Sequence, residues 1–398
     1  MSYTVDTTAT LWPFKPNWSS PLVETLEWNT SVVTSYNGDE QRTSLRPRAR
    51  VTTDYQFLFQ TRMAKRLDNL LWARQNRRLA IPQWQFVTPI DAEAAATADV
   101  IVLDTTLNGL VPGGWLLLMT DAETFEAAQI DEVGETNVTL VEPLVSTWPA
   151  GTKAYPLHFG YIESDVATRR ETDRATTGAV RLVSDPATAD PFIPVIAAPN
   201  TYNGYEILLT KPDWQGGIEN AVAYDRDKAD YGVGTFEYTR TATAPLIQRP
   251  FRWLHKSRAA VKDFRGFLGR RVGRQKAFYA PTWTDDLTLV SNISSVATTI
   301  SCREELFGEL VGLDPSRKHL YIRLRSGVTY LREITSVTPA GLAVTIGISS
   351  ALGANVTIDA VQSIHFVPLW RLATDAIALQ WYTPSTVVVD TPFALVKP

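Results

Sequence analysis

A single cysteine, Cys302, excludes an intramolecular disulfide and every multi-cysteine metal site. A lone thiol needs a histidine partner to act as a nucleophile, and free cysteine packs as a small hydrophobe, so Cys302 reads as buried core. Histidine is nearly as scarce. His158, His255, His319 and His365 are scattered, with no HExxH and no i, i+4 pair, which leaves zinc chemistry without support. His158 and His365 read as structural positions in strands of similar placement. The chain also lacks GxSxG, GxxxxGK[ST] and any GxGxxG after a strand, which removes the common hydrolase, nucleotide and dinucleotide signatures. Gly269-Arg270-Arg271-Val272-Gly273-Arg274 imitates a phosphate loop but follows a helix instead of a strand. The adjacent acids Asp285-Asp286 and Glu304-Glu305 would point to opposite faces of a strand, which spoils a two-carboxylate geometry. No catalytic residue, metal or cofactor is expected.

Charge of one sign is lacking too. With 38 Lys and Arg against 42 Asp and Glu the net charge is −4, so no global attraction to nucleic acid or anionic membrane exists. The longest apolar runs, 109–119 and 192–199, fall short of the roughly 18 residues of a membrane helix. Met1 to Thr10 carries no basic residue and no apolar core, so it does not read as a secretory signal. A chain kept in a reducing compartment, or exported by other means, is expected. At 398 residues and 44% hydrophobic it can bury a substantial core and is too long for one ordinary domain.

What the chain does have is an internal repeat. Lys15-Pro16-Asn17-Trp18 returns as Lys211-Pro212-Asp213-Trp214, and 211 minus 15 is 196. At that offset Gly38 meets Gly234, Phe57-Leu58 meets Trp253-Leu254, and Arg62 meets Arg258. Ile81-Pro82-Gln83-Trp84 then matches Ala280-Pro281-Thr282-Trp283 at 199, so about three residues enter between, in the loop Gly269 to Gly273. The pattern continues with Gly114–Leu118 against His319–Arg323 and with Thr176–Val183 against Val389–Val396. Two units result, 11–190 and 207–398, after an extension 1–10 and joined by a connector 191–206 that contains Pro191, Pro194, Pro199 and Gly204.

Each unit opens with strand-rich sequence and a polar turn such as Tyr36-Asn37-Gly38-Asp39, a strong hairpin signal. Met63, Leu67, Leu70 and Leu71, and likewise Ala260, Phe264, Phe267 and Leu268, place one apolar stripe on a helix. The helices are expected over about 55–76 and 251–271. After each helix, short strands separated by turn residues predict a small barrel-like sheet, over about 84–160 and 283–368. The fold class expected is α+β, β-dominant, as a tandem duplication.

One segment is strongly basic. Arg249 to Lys276 holds Arg252, Lys256, Arg258, Lys262, Arg265, Arg270, Arg271 and Arg274 among its ten cations, against the single acid Asp263. Such a segment repels itself unless something acidic lies nearby, which predicts an interface on a subunit or partner surface. Charge reversal at Arg258, Lys262 and Arg265 is expected to abolish assembly and leave the chain folded. Tryptophans mark both copies, and Trp18, Trp84, Trp214 and Trp283 read as structural anchors.

The segment Glu27-Trp28 through Thr34-Ser35-Tyr36-Asn37-Gly38-Asp39-Glu40-Gln41-Arg42 to Leu45-Arg46-Pro47-Arg48, followed by a helix and a PxW segment, resembles tail-tip or baseplate proteins of long-tailed bacteriophages. Phe264-Arg265-Gly266-Phe267-Leu268-Gly269-Arg270-Arg271, Gly273-Arg274, Phe278-Tyr279-Ala280-Pro281-Thr282-Trp283 and Asp286-Leu287 are similar to a recurring pattern in the same proteins. The resemblance implies a non-enzymatic structural protein at the distal end of the virion tail, assembled in the host cytoplasm and joining the tail tube to host-recognition components. Its implied partners are itself, in a ring of three copies with six as the alternative, and tail-tip, tail-tube, baseplate hub and tape-measure proteins. DNA would be met only in passage through the lumen. A carbohydrate- or receptor-binding tail module that uses exposed aromatics is the alternative function, and a cell-wall hydrolase has no catalytic constellation behind it.

Overall fold

The computed structural model describes residues 5, 9–74, 77–106, 109–185, 198–215, 217–219, 221–223, 226–240 and 246–397. The first half runs β1 (Thr10–Leu11), β2 (Leu22–Thr34), β3 (Glu40–Gln60), α1 (Thr61–Arg74), β4 (Leu79–Pro82), β5 (Thr88–Pro89), β6 (Val100–Val102), β7 (Trp115–Met119), β8 (Phe125–Val133), β9 (Asn137–Leu140), β10 (Lys153–Ile162), β11 (Thr168–Arg170) and β12 (Ala175–Ser184). A small hairpin, β13 (Thr201–Tyr202) and β14 (Tyr205–Glu206), precedes the second half. That half runs β15 (Ala221–Ala223), β16 (Arg226–Asp230), β17 (Phe236–Arg240), β18 (Leu246–His255), α2 (Arg258–Arg271), β19 (Phe278–Tyr279), β20 (Thr299–Arg303), β21 (His319–Leu324), β22 (Thr329–Ala340), β23 (Ala343–Ile348), β24 (Val361–Phe366), β25 (Leu369–Leu372), β26 (Ala376–Thr383) and β27 (Thr386–Leu395). The fold is α+β with β dominant.

The main sheet passes continuously from one half to the other. Its antiparallel order is β15, β18, β27, β26, β2, β3, β12, β11. Period-2 patterning sets its faces: Leu22, Glu24, Leu26, Trp28 and Thr30 of β2 turn inward, as do Phe251, Trp253 and His255 of β18. The two four-stranded halves share the same strand order and several local contacts. Asn17 N donates to Gln56 O at 3.0 Å and Asp213 N to Arg252 O at 2.6 Å. Ser35 N donates to Asp39 O, and 196 residues on Tyr231 N donates to Thr235 O. Gly38 and Gly234 sit in these turns at φ of 87° and 88°, a conformation that excludes most side chains. The repeated KPxW motif thus owes its Asn or Asp to local geometry, because Asn17 and Asp213 each accept a hydrogen bond from the backbone two residues on.

Each half carries a further antiparallel run of five strands, β6, β9, β8, β7, β10 in the first, which joins the main sheet through β10 and β12, and β20, β23, β22, β21, β24 in the second, which forms a separate sheet. Each has its own apolar cluster, around Ile101, Leu116, Leu118 and Ile130, and around Ile300, Leu320, Ile322 and Ile346. The alternate residues Leu117, Met119 and Tyr321 point the other way, into the main core. These contacts shift the expected alignment. Pro156 receives the Gln83 N–H and lies opposite Leu116, while Phe366 receives the Thr282 N–H and lies opposite Leu320. Leu116 therefore corresponds to Leu320, one residue away from the alignment of Gly114 with His319. Both faces of Trp115–Met119 are apolar, so the run carries no alternation from which its phase could be read. At the C-terminal ends, Phe57 opposes Gly178 and Trp253 opposes Val389, so Gly178 matches Val389 and not Thr391. That slip is two residues and preserves the face.

The helices begin later than expected. Strand β3 continues to Gln60 and β18 to His255, because alternating Tyr55, Phe57 and Phe59, and Phe251 and Trp253, extend the sheet into what reads as the first helical turn. Most of the extension 1–10 and the connector residues 191–197 lie outside the described residues. The halves are not separate cores. Trp12, Trp28, Phe86 and Leu157 of the first share one apolar cluster with Trp253, Phe264, Trp381 and Phe393 of the second.

Candidate assembly interface

The seam between the halves is where β2 pairs with β26, from Leu22 opposite Trp381 to Glu27 opposite Ala376. Helix α2 lies against this seam. Ser257 caps it, its hydroxyl accepting from Ala260 N at 3.2 Å. Of the expected stripe Phe264, Phe267 and Leu268 are buried and Ala260 is half-buried, and Val261, outside the stripe, is buried as well. Arg265 is buried as well, at 1% exposure, and pairs with the equally buried Glu24 of β2. Trp381 Nε1 donates to the same carboxylate at 3.1 Å, and the Arg265 guanidinium lies 5.5 Å from the Phe86 ring centre. A charge so placed tolerates desolvation only while its partner stays.

Most of the other cations of the basic segment are also engaged within the chain, by carbonyls or carboxylates. Arg258 donates to Val87 O and Lys262 Nζ to Thr106 O at 3.1 Å, both in the first half. Arg270 forks onto both oxygens of Glu206 of β14 at 2.7 and 3.0 Å, and Arg271 shares Oε2 at 2.5 Å. Arg274 meets Asp375 at 3.1 Å and Thr30 O at 2.7 Å. Arg252 pairs with Asp213 and bonds Gln215. Lys256 is exposed. The expected outward basic face is therefore corrected: the segment is an interface, but one internal to the chain. Its counter-charges Glu24, Glu206 and Asp375 come from elsewhere in the same sequence.

Asp375 shows how tightly the seam is tied. It accepts from Thr30 N, Thr30 Oγ1 and Arg274 N at 2.8–2.9 Å. Burial opposes its charge, yet these hydrogen bonds and the Arg274 guanidinium outweigh that and hold its carboxyl below the ordinary range. Gly273, at φ 64°, passes so close that a Cβ would stand 2.2 Å from Asp375 Oδ1 and 2.8 Å from Trp28 Cβ. Across the seam Arg371 also forks onto Glu40 at 2.7 and 2.8 Å.

Trp84 and Trp283 are buried anchors, Trp18 is half-buried, and Trp214 is 44% exposed, so its anchoring role is corrected. Trp12, Trp28, Trp253, Trp370 and Trp381 hold the core instead. The histidines are built into packing: His365 bonds Ser363 and Thr284, and His319 lies between Tyr202 and Tyr279. Cys302 is fully buried, and burial pushes its thiol up to about 12. Among the described residues no group of three or more His, Cys, Asp or Glu gathers to hold a metal ion, and no helix is long and apolar enough to cross a membrane.

The outer ends of the main sheet differ from the seam. Strand β11 pairs only with β12 and β15 only with β18 among the described residues, and all three residues of β11 are exposed. Beside β11 runs an open groove of about 500 Å³, lined by Ser20, Asp54, Asp165 and Arg181, with no tryptophan among its lining residues. Burial raises the Asp54 carboxyl although Arg181 opposes the shift. Sequence reasoning missed these edges, because β11 and β15 are three residues long with no apolar alternation. No protein-family model and no curated protein sequence matches this chain.

Proposed function

We propose that this chain is a structural subunit of the tail tip or baseplate of a long-tailed bacteriophage, in which copies close into a ring that links the tail tube to the host-recognition apparatus. The carrying observation is a run of eight paired strands built from two four-stranded halves of the same order, in which, among the described residues, β11 and β15 at the two ends have no second strand partner. Such a sheet has a head and a tail, and head-to-tail contacts between identical subunits close into rings when the rotation permits. In this reading the halves arose by tandem duplication, and three chains present six similar half-sheets, which adapts a threefold ring to a sixfold tube. A structural role is supported by the way charge is used: the buried Arg265–Glu24 pair ties the halves together, and Glu206 and Asp375 hold Arg270, Arg271 and Arg274 of the second half. Mass measurement of the purified chain together with antibody labelling of virions tests the proposal. A trimeric ring and label at the distal end of the tail are expected. A six-chain ring leaves the duplication without this purpose, and an isolated monomer that binds host envelope glycans favours the receptor-binding alternative.

A further inference from the structure

The seam joins β2 of the first half to β26 of the second, and the strands matched to them, β15 and β11, have no second strand partner among the described residues. We propose that the sheet edge of one copy that carries Glu219 and Val222, at β15, pairs antiparallel with the edge of the next that carries Val166 and Arg169, leading into β11, in the register of the internal seam, and that α1 of the next copy covers the joint. The inference deepens the ring reading by naming its contact.

The register follows from the matched positions. β2 maps to the β15 segment at 196, since Asn17 matches Asp213, and β11 maps to β26 at 211, since Thr168 opposes Gly178 as Leu379 opposes Val389. Carrying Val23 opposite Gln380 through these offsets sets Glu219 against Arg169, and carrying Leu26 opposite Ile377 sets Val222 against Val166. The first pair is opposite in charge and both members are exposed; in the second, Val222 is 43% exposed and Val166 half-buried. Opposite charges and β-branched pairs are what antiparallel neighbours favour.

The helices supply a second, independent match. α2 seats on the first half through Arg258, Lys262 and Arg265, the last paired with Glu24. The buried Ala64 and Leu67 of α1 match Val261 and Phe264 of α2 at an offset of 197, which sets Thr61 and not Arg62 against Arg258, and the same face of α1 carries Thr61, Lys65, Asp68, which pairs with Arg170 of its own chain, and, a turn on, Trp72. Trp72 is 86% exposed. Lys262 touches the connection between β6 and β7. The matching connection between β20 and β21 exposes Leu306, Leu310 and Leu313 at 57%, 75% and 51%, with Glu305 and Glu309 exposed beside them. Trp72 and Lys65 of a neighbouring copy complement that surface in apolarity and charge.

Cysteine pairing tests the register, because Cys302 is buried and silent. Chains carrying V166C and V222C together, oxidised at the highest soluble concentration, should give a ladder of disulfide-linked species on denaturing gels, whereas V166C with V233C, at the far hairpin tip, should give none. Opposed Cβ atoms in such a pair lie within reach of a disulfide. W72A should lower association at least tenfold by sedimentation with an unchanged circular dichroism spectrum. Rings seen by mass that do not link at 166 and 222 overturn this edge and keep the ring; a chain that stays monomeric throughout overturns both.

Discussion

Arg265 and Glu24 are separated by 241 residues in sequence and meet fully buried, so the pair reports directly on the seam. Replacing Arg265 with Met removes the guanidinium and leaves Glu24 with the Trp381 indole as a hydrogen-bond donor. Breaking one side of a buried pair costs about 3–5 kcal/mol, because the remaining charge is stranded in a medium that solvates it poorly. Replacing both, as R265M with E24L, removes both desolvation terms and should return to within about 2 kcal/mol of the parent. By contrast, the Arg62 pair with Glu123, whose side chains are 71% and 38% exposed, should be worth under about 1 kcal/mol. Urea unfolding of the four seam variants forms a double-mutant cycle, and a coupling energy of at least about 2 kcal/mol is expected. If E24L alone costs less than about 1 kcal/mol, or if the two single effects simply add, the seam is not held by this pair and the reasoning fails.

Three further outcomes are expected. Burial pushes His255 down to about 4, against an ordinary value of about 6.5, so the unfolded chain takes its proton first as pH falls; stability is full above about 6.5, is lost between there and 4, and amounts to about 3 kcal/mol. H255F should flatten that part of the stability-against-pH curve measured by urea titration, and an unchanged slope would exclude His255 as its source. Gly160 has no room for a Cβ, which would lie 2.0 Å from Val183 O and 2.9 Å from Ile81 Cδ1, so G160A should cost about 3 kcal/mol in thermal or urea unfolding, and a neutral result would show the β10–β12 contact to be adjustable. E206Q should loosen two arginines at once, by about 2 kcal/mol, and limited proteolysis should then cut first near the 201–206 hairpin.

The parts of the fold that were legible are those in which neighbours in sequence are neighbours in space. Trp115–Met119 and Phe125–Val133 form adjacent strands within the region where short strands are expected, and Gly38 and Gly234 occupy turns. The β2–β26 pairing left no such trace: its strands lie some 350 residues apart, and nothing local in Leu22–Thr34 names a partner. Phase was lost wherever both faces of a strand are buried, as at Leu116 and Leu320. Helix starts were lost because alternating aromatics at Tyr55, Phe57 and Phe59 satisfy a strand as well as they satisfy a helical stripe.

The basic segment is the instructive case. A run of like charge does require opposite charge nearby, and that inference holds; what sequence distance concealed was that Glu24, Glu206 and Asp375 stand 241, 64 and 101 residues from the cations they serve. Charge therefore accumulates on the helix whose joint is made within the chain, where it must be neutralised during folding. α1, of equal length, buries Ala64 and Leu67 alone among its described side chains and leaves Trp72 in solvent. The two helices should consequently respond oppositely to the same perturbation. Charge reversal at Arg258, Lys262 and Arg265 should unfold the chain before any question of assembly arises, whereas K65E on α1 should leave urea unfolding unchanged and act on self-association alone. If the α2 reversal instead leaves a folded chain that merely fails to associate, the seam described above is not what those three residues serve.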